Sequence, residues 1–185
     1  IRENLNQKIN PGDFCTFSKK SERLQSSEFM GKALDDRSAV ACLIEVASRV
    51  YDKDLPFNLI FAFCENEELG MRGAKTSSFV LEADEAIAID VSFGDAPDVP
   101  DVKSGKLGDG AMIGVSPVLD KKITNKLISC AKDKNIPYQL EVTGGTTGTD
   151  ADVISISKGG IPCGLVSIPL RNMHTPCEII DLKDI

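Results

Sequence analysis

From Asp36 to Val50 the apolar residues Ala39, Val40, Leu43, Val46, Ala47 and Val50 recur at helical spacing, which puts them on one face of a helix. Asp36 and Ser38 are suited to cap its start. Asn58 to Cys64 then reads NLIFAFC, a continuous apolar run that predicts a strand buried on both faces of a parallel sheet. Ala86 to Asp90 (AIAID) and Gly164 to Ile168 (GLVSI) are runs of the same kind. Tyr138 to Val142 (YQLEV) alternates more, which predicts a position nearer the sheet edge. Between Asp120 and Lys134, Ile123, Leu127, Ile128 and Ala131 share one face of a second amphipathic helix. Strands alternating with helices predict an α/β fold with a predominantly parallel sheet and helices on both faces.

The ends of the chain depart from this pattern. Residues 1–30 are polar, with scattered apolar positions and the turn signal NPGDF. They read as the tail of a preceding domain or an insert, which leaves residues 31–185 as the main domain. Glu178 to Ile185 reads as the approach to a helix, with Asp181 as its cap. Residue 1 is not Met and both ends look cut, so the expectation is a piece of a longer protein, incomplete at both ends.

Composition narrows the function classes. The chain has 185 residues of which 42% are hydrophobic, enough for one sizeable core. Acidic residues outnumber basic ones, 28 to 21, and no Lys/Arg cluster is interleaved with aromatics; this argues against a nucleic-acid surface. No apolar run approaches the roughly 20 residues that cross a bilayer, and the N-terminal IRENLNQK lacks the apolar stretch of a signal peptide. The expected setting is soluble and cytoplasmic, with no membrane partner. The six cysteines form no C-x-x-C pair and several sit in apolar runs, so they are expected to be buried free thiols.

The candidate chemistry collects where an α/β sheet collects its ligands, at the carboxyl ends of strands. Glu67 and Glu68 follow the run ending at Cys64, Asp90 closes AIAID, and His174, the only histidine, lies in the loop after GLVSI. Asp35 precedes the first long helix, which opens on the same edge. Each has a plainer reading taken singly: a helix cap for Asp35, a partner of a helix dipole for Glu67 and Glu68, a turn residue for Asp90, an exposed loop histidine for His174. Together, one imidazole and several carboxylates suit zinc, cobalt or manganese. Two such ions about 3.5–4 Å apart can share and activate a water for hydrolysis. Of the adjacent glutamates one is then free to act as general base, the job that suits Glu67. The glycine-rich TGGTTGTDA matches neither a P-loop nor a dinucleotide fingerprint. It predicts a tight loop at the rim, with Gly148 and Thr149 beside the substrate carbonyl and Thr149 capping a short helix through Ile154. Arg72 is expected to anchor a neighbouring carboxylate.

The segments GKALDDRSA (Gly31 to Ala39), ENEELGMRGA (Glu65 to Ala74), AIAIDVS (Ala86 to Ser92), GTDAD (Gly148 to Asp152) and SIPLRNMHTPCE (Ser167 to Glu178) resemble, in order, the motifs of the glutamyl or deblocking aminopeptidases. These are dinuclear metallopeptidases that include the tetrahedral, twelve-subunit enzymes. The resemblance implies that Asp35 bridges two metal ions, that Glu68 and His174 complete one of them, that Asp90 serves the other, and that Glu67 is the general base. Asp36 stands where the family often has Asn and is not counted as a ligand. NPGDFCTF resembles the exit from the family's small β-rich insert, a guide to oligomerisation that is mostly absent here. The family also carries an upstream H-x-D, whereas this sequence has no second histidine. The resemblance therefore implies a parent enzyme with two divalent ions, peptide substrates and a homo-oligomeric assembly, while this chain alone holds one ion or none and is inactive. Two rivals are a metal-independent glycoside hydrolase, since family members have carried a glucanase label, and a non-catalytic degenerate relative. The glycosidase would need carboxyls about 5–9.5 Å apart beside aromatic platforms, and the chain has no Trp and two Tyr.

Overall fold

A computed structural model describes residues 8–18, 20–97, 99–100 and 104–185. Its elements are β1 (Glu22–Arg23), β2 (Glu28–Gly31), α1 (Leu34–Val50), α2 (Arg72–Leu81), β3 (Ala86–Phe93), β4 (Ala111–Val115), α3 (Lys121–Asp133), β5 (Tyr138–Val142), α4 (Ala151–Ser155), β6 (Cys163–Arg171) and β7 (Glu178–Asp181). The α/β class expected from the sequence is the class observed. All seven strands join one sheet in the order β1-β2-β7-β6-β4-β5, with β3 on the other side of β6. Pairing is mixed: β3–β6 and β4–β5 run parallel, and the remaining pairs run antiparallel.

β6 is the keel because it is apolar almost throughout and has partners on both edges. Strand alternation sends Cys163 and Leu165 to one face, and Ile168 and Leu170 to the other. Each face has its own core. Leu34, Val91, Ile168, Leu170 and Ile180 cluster on one side; Ala88, Leu119, Ala151, Cys163 and Leu165 cluster on the opposite side. Gly164 leaves room for α3, since a Cβ there would meet Ile123 Cγ2 at 2.5 Å. Helix α3 starts where predicted: Asp120 accepts from the Lys122 and Ile123 amides, and Ile123 and Ala131 are buried. β5 is an edge strand, as its alternation implied.

Four expectations are corrected. Residues 58–64 form no paired strand; Leu59, Ile60 and Phe63 are 45%, 50% and 53% exposed. Burial on both faces needs neighbouring strands, and among the described residues β3 is paired only along β6. Residues 178–181 are strand β7, not a helix approach, and Asp181 accepts from the Lys183 amide in the turn that follows. Cys163 is buried, but Cys15 and Cys130 are exposed; all six thiols are free. Asp90 lies inside a strand that runs on to Phe93, because the apolar alternation continues and each residue pairs with β6. No described helix is long and apolar enough to cross a membrane.

Candidate metal centre

The first donor segment is the start of α1. Ala33 stands before it in the left-handed region (φ 54°) and contributes no side-chain cap, and Asp35 and Asp36 have non-helical backbones joined by a cis peptide. The helix proper begins only after them, with Asp36 Oδ1 accepting from the Ala39 amide at 3.1 Å, the capping role expected of it. Asp35 is thereby left at the mouth of the helix, its side chain 11% exposed.

The second segment is a tight turn. Gly70 and Met71 both donate to the Glu67 carbonyl, at 2.8 and 2.7 Å, Arg72 donates to Asn66 and Gly73 to Glu65. Asn66 and Met71 adopt φ of 60° and 56°, and Gly70 takes φ 102°. Gly73 is required by contact: a Cβ there would lie 2.5 Å from the Glu65 backbone. Among the described residues Arg72 pairs with no carboxylate, against expectation; its Nε donates to the Leu69 carbonyl at 3.1 Å instead. Asp90, fifth in β3, sits opposite Ser167 and accepts from the Val91 amide at 2.8 Å. His174 follows β6 with φ 62°.

These separate segments converge. Asp35, Glu68 and His174 each offer a ligand atom, all within 4.8 Å of one another. His174 Nε2 lies 3.1 Å from Asp35 Oδ2 and 3.5 Å from Glu68 Oε2. Asp90 and Glu67 fall outside this trio but within its electrostatic reach. Burial, then the charge of Glu68, pushes Asp35 up to about 6, against the opposing influence of His174. Asp90 is pushed up to about 7 by burial, opposed by its bond from Val91, with Glu67 and Asp35 adding to the rise. Asp36 goes to about 8 through burial and the charge of Asp90. Burial also raises Glu67, helped by Asp150 and Glu68.

Asp150, which sequence reasoning did not single out, is raised by burial, and its Oδ1 is buried without a hydrogen-bond partner. The only signal for it was its place inside the GTDAD motif. Gly148 and Thr149 lie on the adjoining loop, where their amides donate to Asp152 Oδ2 at 2.9 Å and Thr147 Oγ1 at 3.3 Å. Thr149 Oγ1 accepts from the Ala151 amide, at the start of α4.

A group of carboxylates that resist ionising together is a site short of positive charge. The donor set of one imidazole and two carboxylates fits a first-row divalent cation and leaves coordination positions open.

Known proteins are similar to this chain in sequence and fold. The family model described as M42 glutamyl aminopeptidase matches residues 2–185. Lysyl aminopeptidase of Pyrococcus furiosus is 32% identical over 174 residues, 94% of this chain and 50% of that protein. An aminopeptidase structure from Desulfurococcus kamchatkensis superposes with a TM-score of 0.84 at 32% identity, covering 99% of this chain and 52% of that one. The TET1 peptidase of Pyrococcus horikoshii, described as assembling into a tetrahedron or a large octahedral shell, gives a TM-score of 0.82 at 31% identity, covering 99% and 54%. The chain thus spans about half the length of these relatives, and it belongs to the M42 glutamyl aminopeptidase family.

Proposed function

We propose that this chain carries the catalytic portion of a metal-dependent aminopeptidase, which removes the N-terminal residue from peptides. The convergence of Asp35, Glu68 and His174 beside Glu67 is the observation that carries this reading. In it, Asp35, Glu68 and His174 would hold one divalent ion, zinc, cobalt or manganese, and Asp35 and Asp90 would serve a second. Such ions supply Lewis acidity, lowering the pKa of water and polarising the scissile carbonyl.

The remaining chemistry falls to the side chains. Glu67 accepts the proton of the attacking water on its carboxylate and delivers it to the departing amine nitrogen. Burial, with the charges of Asp150 and Glu68, raises its pKa, which makes its carboxylate a stronger proton acceptor than a free glutamate. Gly148 and Thr149 shape the rim over which the peptide lies; their amides are already engaged within the loop, so their part is steric. A homo-oligomeric parent, working in the cytoplasm on peptides, is the setting we assign, by analogy with the TET1 assembly.

The test is peptide hydrolysis by the full-length protein loaded with zinc, cobalt or manganese, read as free amino acid released. Activity should vanish with chelator, and Glu67→Gln should lower turnover by about 10²–10⁴-fold while leaving cation binding intact. Chelator-resistant cleavage of a glucan, with no release from any peptide, would refute the reading.

A further inference from the structure

Glu178 opens β7 and is 2% exposed, one of the few buried carboxylates in the chain. Its Oε2 accepts from the amides of Leu34 at 2.7 Å and Asp35 at 3.2 Å, and its Oε1 accepts from the amide of His174 at 2.9 Å. No Lys or Arg among the described residues forms an ion pair with it. Three amide donors therefore satisfy the charge of this side chain, and two of the three belong to residues of the donor trio.

The bonds also answer a local need at each end. The start of α1 has orphan amides, and Ala33 offers no side-chain cap to take them. Glu178 supplies that cap from 144 residues away in sequence. At the other end, His174 holds a left-handed backbone (φ 62°) that a non-glycine residue keeps only when its surroundings impose it. A bond to its amide is such an imposition.

We propose that Glu178 is a positioning residue: its buried carboxylate ties the backbone of Asp35 to that of His174 and so sets the spacing of two of the three cation donors. This rests on the reading that Asp35, Glu68 and His174 hold a divalent ion. One carboxylate serves three N–H groups because both its oxygens accept. Glutamine in its place turns an NH2 toward at least one of those donors, so the tie fails on one side while size is conserved.

The experiment titrates cobalt(II) into the full-length protein, following both affinity and the visible absorption of the bound ion. Glu178→Gln should weaken cobalt binding by about ten- to a hundredfold and alter the absorption bands. Asp184→Asn is the control for general destabilisation, because Asp184 is likewise buried and accepts from the Gly108 and Gly110 amides, at 2.7 and 2.8 Å, away from the trio. It should leave cobalt affinity and spectrum unchanged. An unchanged affinity and spectrum in Glu178→Gln, or an equal loss in Asp184→Asn, would overturn the proposal. If Glu178→Gln does not fold, hydrogen exchange on the unaltered chain decides: the Leu34, Asp35 and His174 amides should be protected, and rapid exchange of the latter two would overturn the tie. Failure of the unaltered full-length protein to bind cobalt, or full binding by its Asp35→Ala variant, would instead sink the reading of the trio itself.

Discussion

Asp36→Asn should stabilise the metal-free chain, and by an amount that depends on pH. Asparagine keeps the oxygen that accepts from the Ala39 amide, so the helix start retains its cap. What it removes is a carboxyl pushed up to about 8 by burial and by the charge of Asp90, from an ordinary 3.8. Because the folded pKa lies above the unfolded one, the native state binds more protons than the unfolded chain between about pH 4 and pH 8. Stability therefore falls as pH rises through that window. At pH 7 the chain stands about three pH units above the unfolded pKa; at 1.36 kcal/mol per unit this costs about 4 kcal/mol. We expect a gain of ~2–4 kcal/mol at pH 7, or roughly 5–15 °C in Tm for a chain of this size, shrinking almost to nothing near pH 4. Urea denaturation in EDTA at the two pH values measures it. A gain of the same size at both, or none at pH 7, would show that ionisation of Asp36 is not what burdens the fold.

Two further expectations rest on separate observations. With Asp35 at about 6, a proton competes with the cation, so affinity at the trio should drop about tenfold between pH 7 and pH 5 from this group alone. Competition against a chromogenic chelator reads it, and a dissociation constant flat across that range would contradict the assignment of Asp35 as a donor. Leu165→Ala, in the middle of β6 at 2% exposure, should cost about 2–5 kcal/mol in denaturant unfolding; a cost under about 1 kcal/mol would mean that β6 is not the centre of the core.

Much of this architecture is legible in the chain because local signals agree with tertiary ones. Helix α3 has its apolar stripe and Asp120 at its cap, and β6 is apolar enough to be read as central. Elements that depend on distant partners are not legible. β2 and β7 are four-residue strands whose antiparallel pairing joins residues about 150 positions apart. Helix α2 (RGAKTSSFVL) begins after a left-handed Met71, lacks a capping side chain and contains Gly73, so its sequence looks like a continued turn. The run at 58–64 misleads in the opposite direction, advertising a burial that the described residues do not provide. At the candidate site, residue type and order single out Asp35, Glu67, Glu68, Asp90 and His174, of which the fold brings Asp35, Glu68 and His174 together. The tie through Glu178 was invisible, since nothing in CEII distinguishes an inward carboxylate from a surface one until β7 has paired.

The two faces of the sheet contribute unequally to the donors. One apolar cluster, Leu34, Val91, Ile168, Leu170 and Ile180 with Met173 packed against it, contains the immediate chain neighbours of Asp35, Asp90 and His174. Each of those candidate donors is thus one residue removed from a side chain packed in or against this core, which fixes its backbone far better than a loop can. The arrangement also accounts for how left-handed backbones survive at Ala33, Asn172 and His174. Each costs about 1–2 kcal/mol, and the burial of Leu34 and Met173 offsets the cost locally. Glu68 has no such anchor: its neighbour Leu69 is 66% exposed, and its turn is held by backbone bonds to the Glu65, Asn66 and Glu67 carbonyls. Of the three donors in the trio it is the one free to shift, so cation binding should draw Glu68 toward a pair already set by the core rather than move Asp35 or His174.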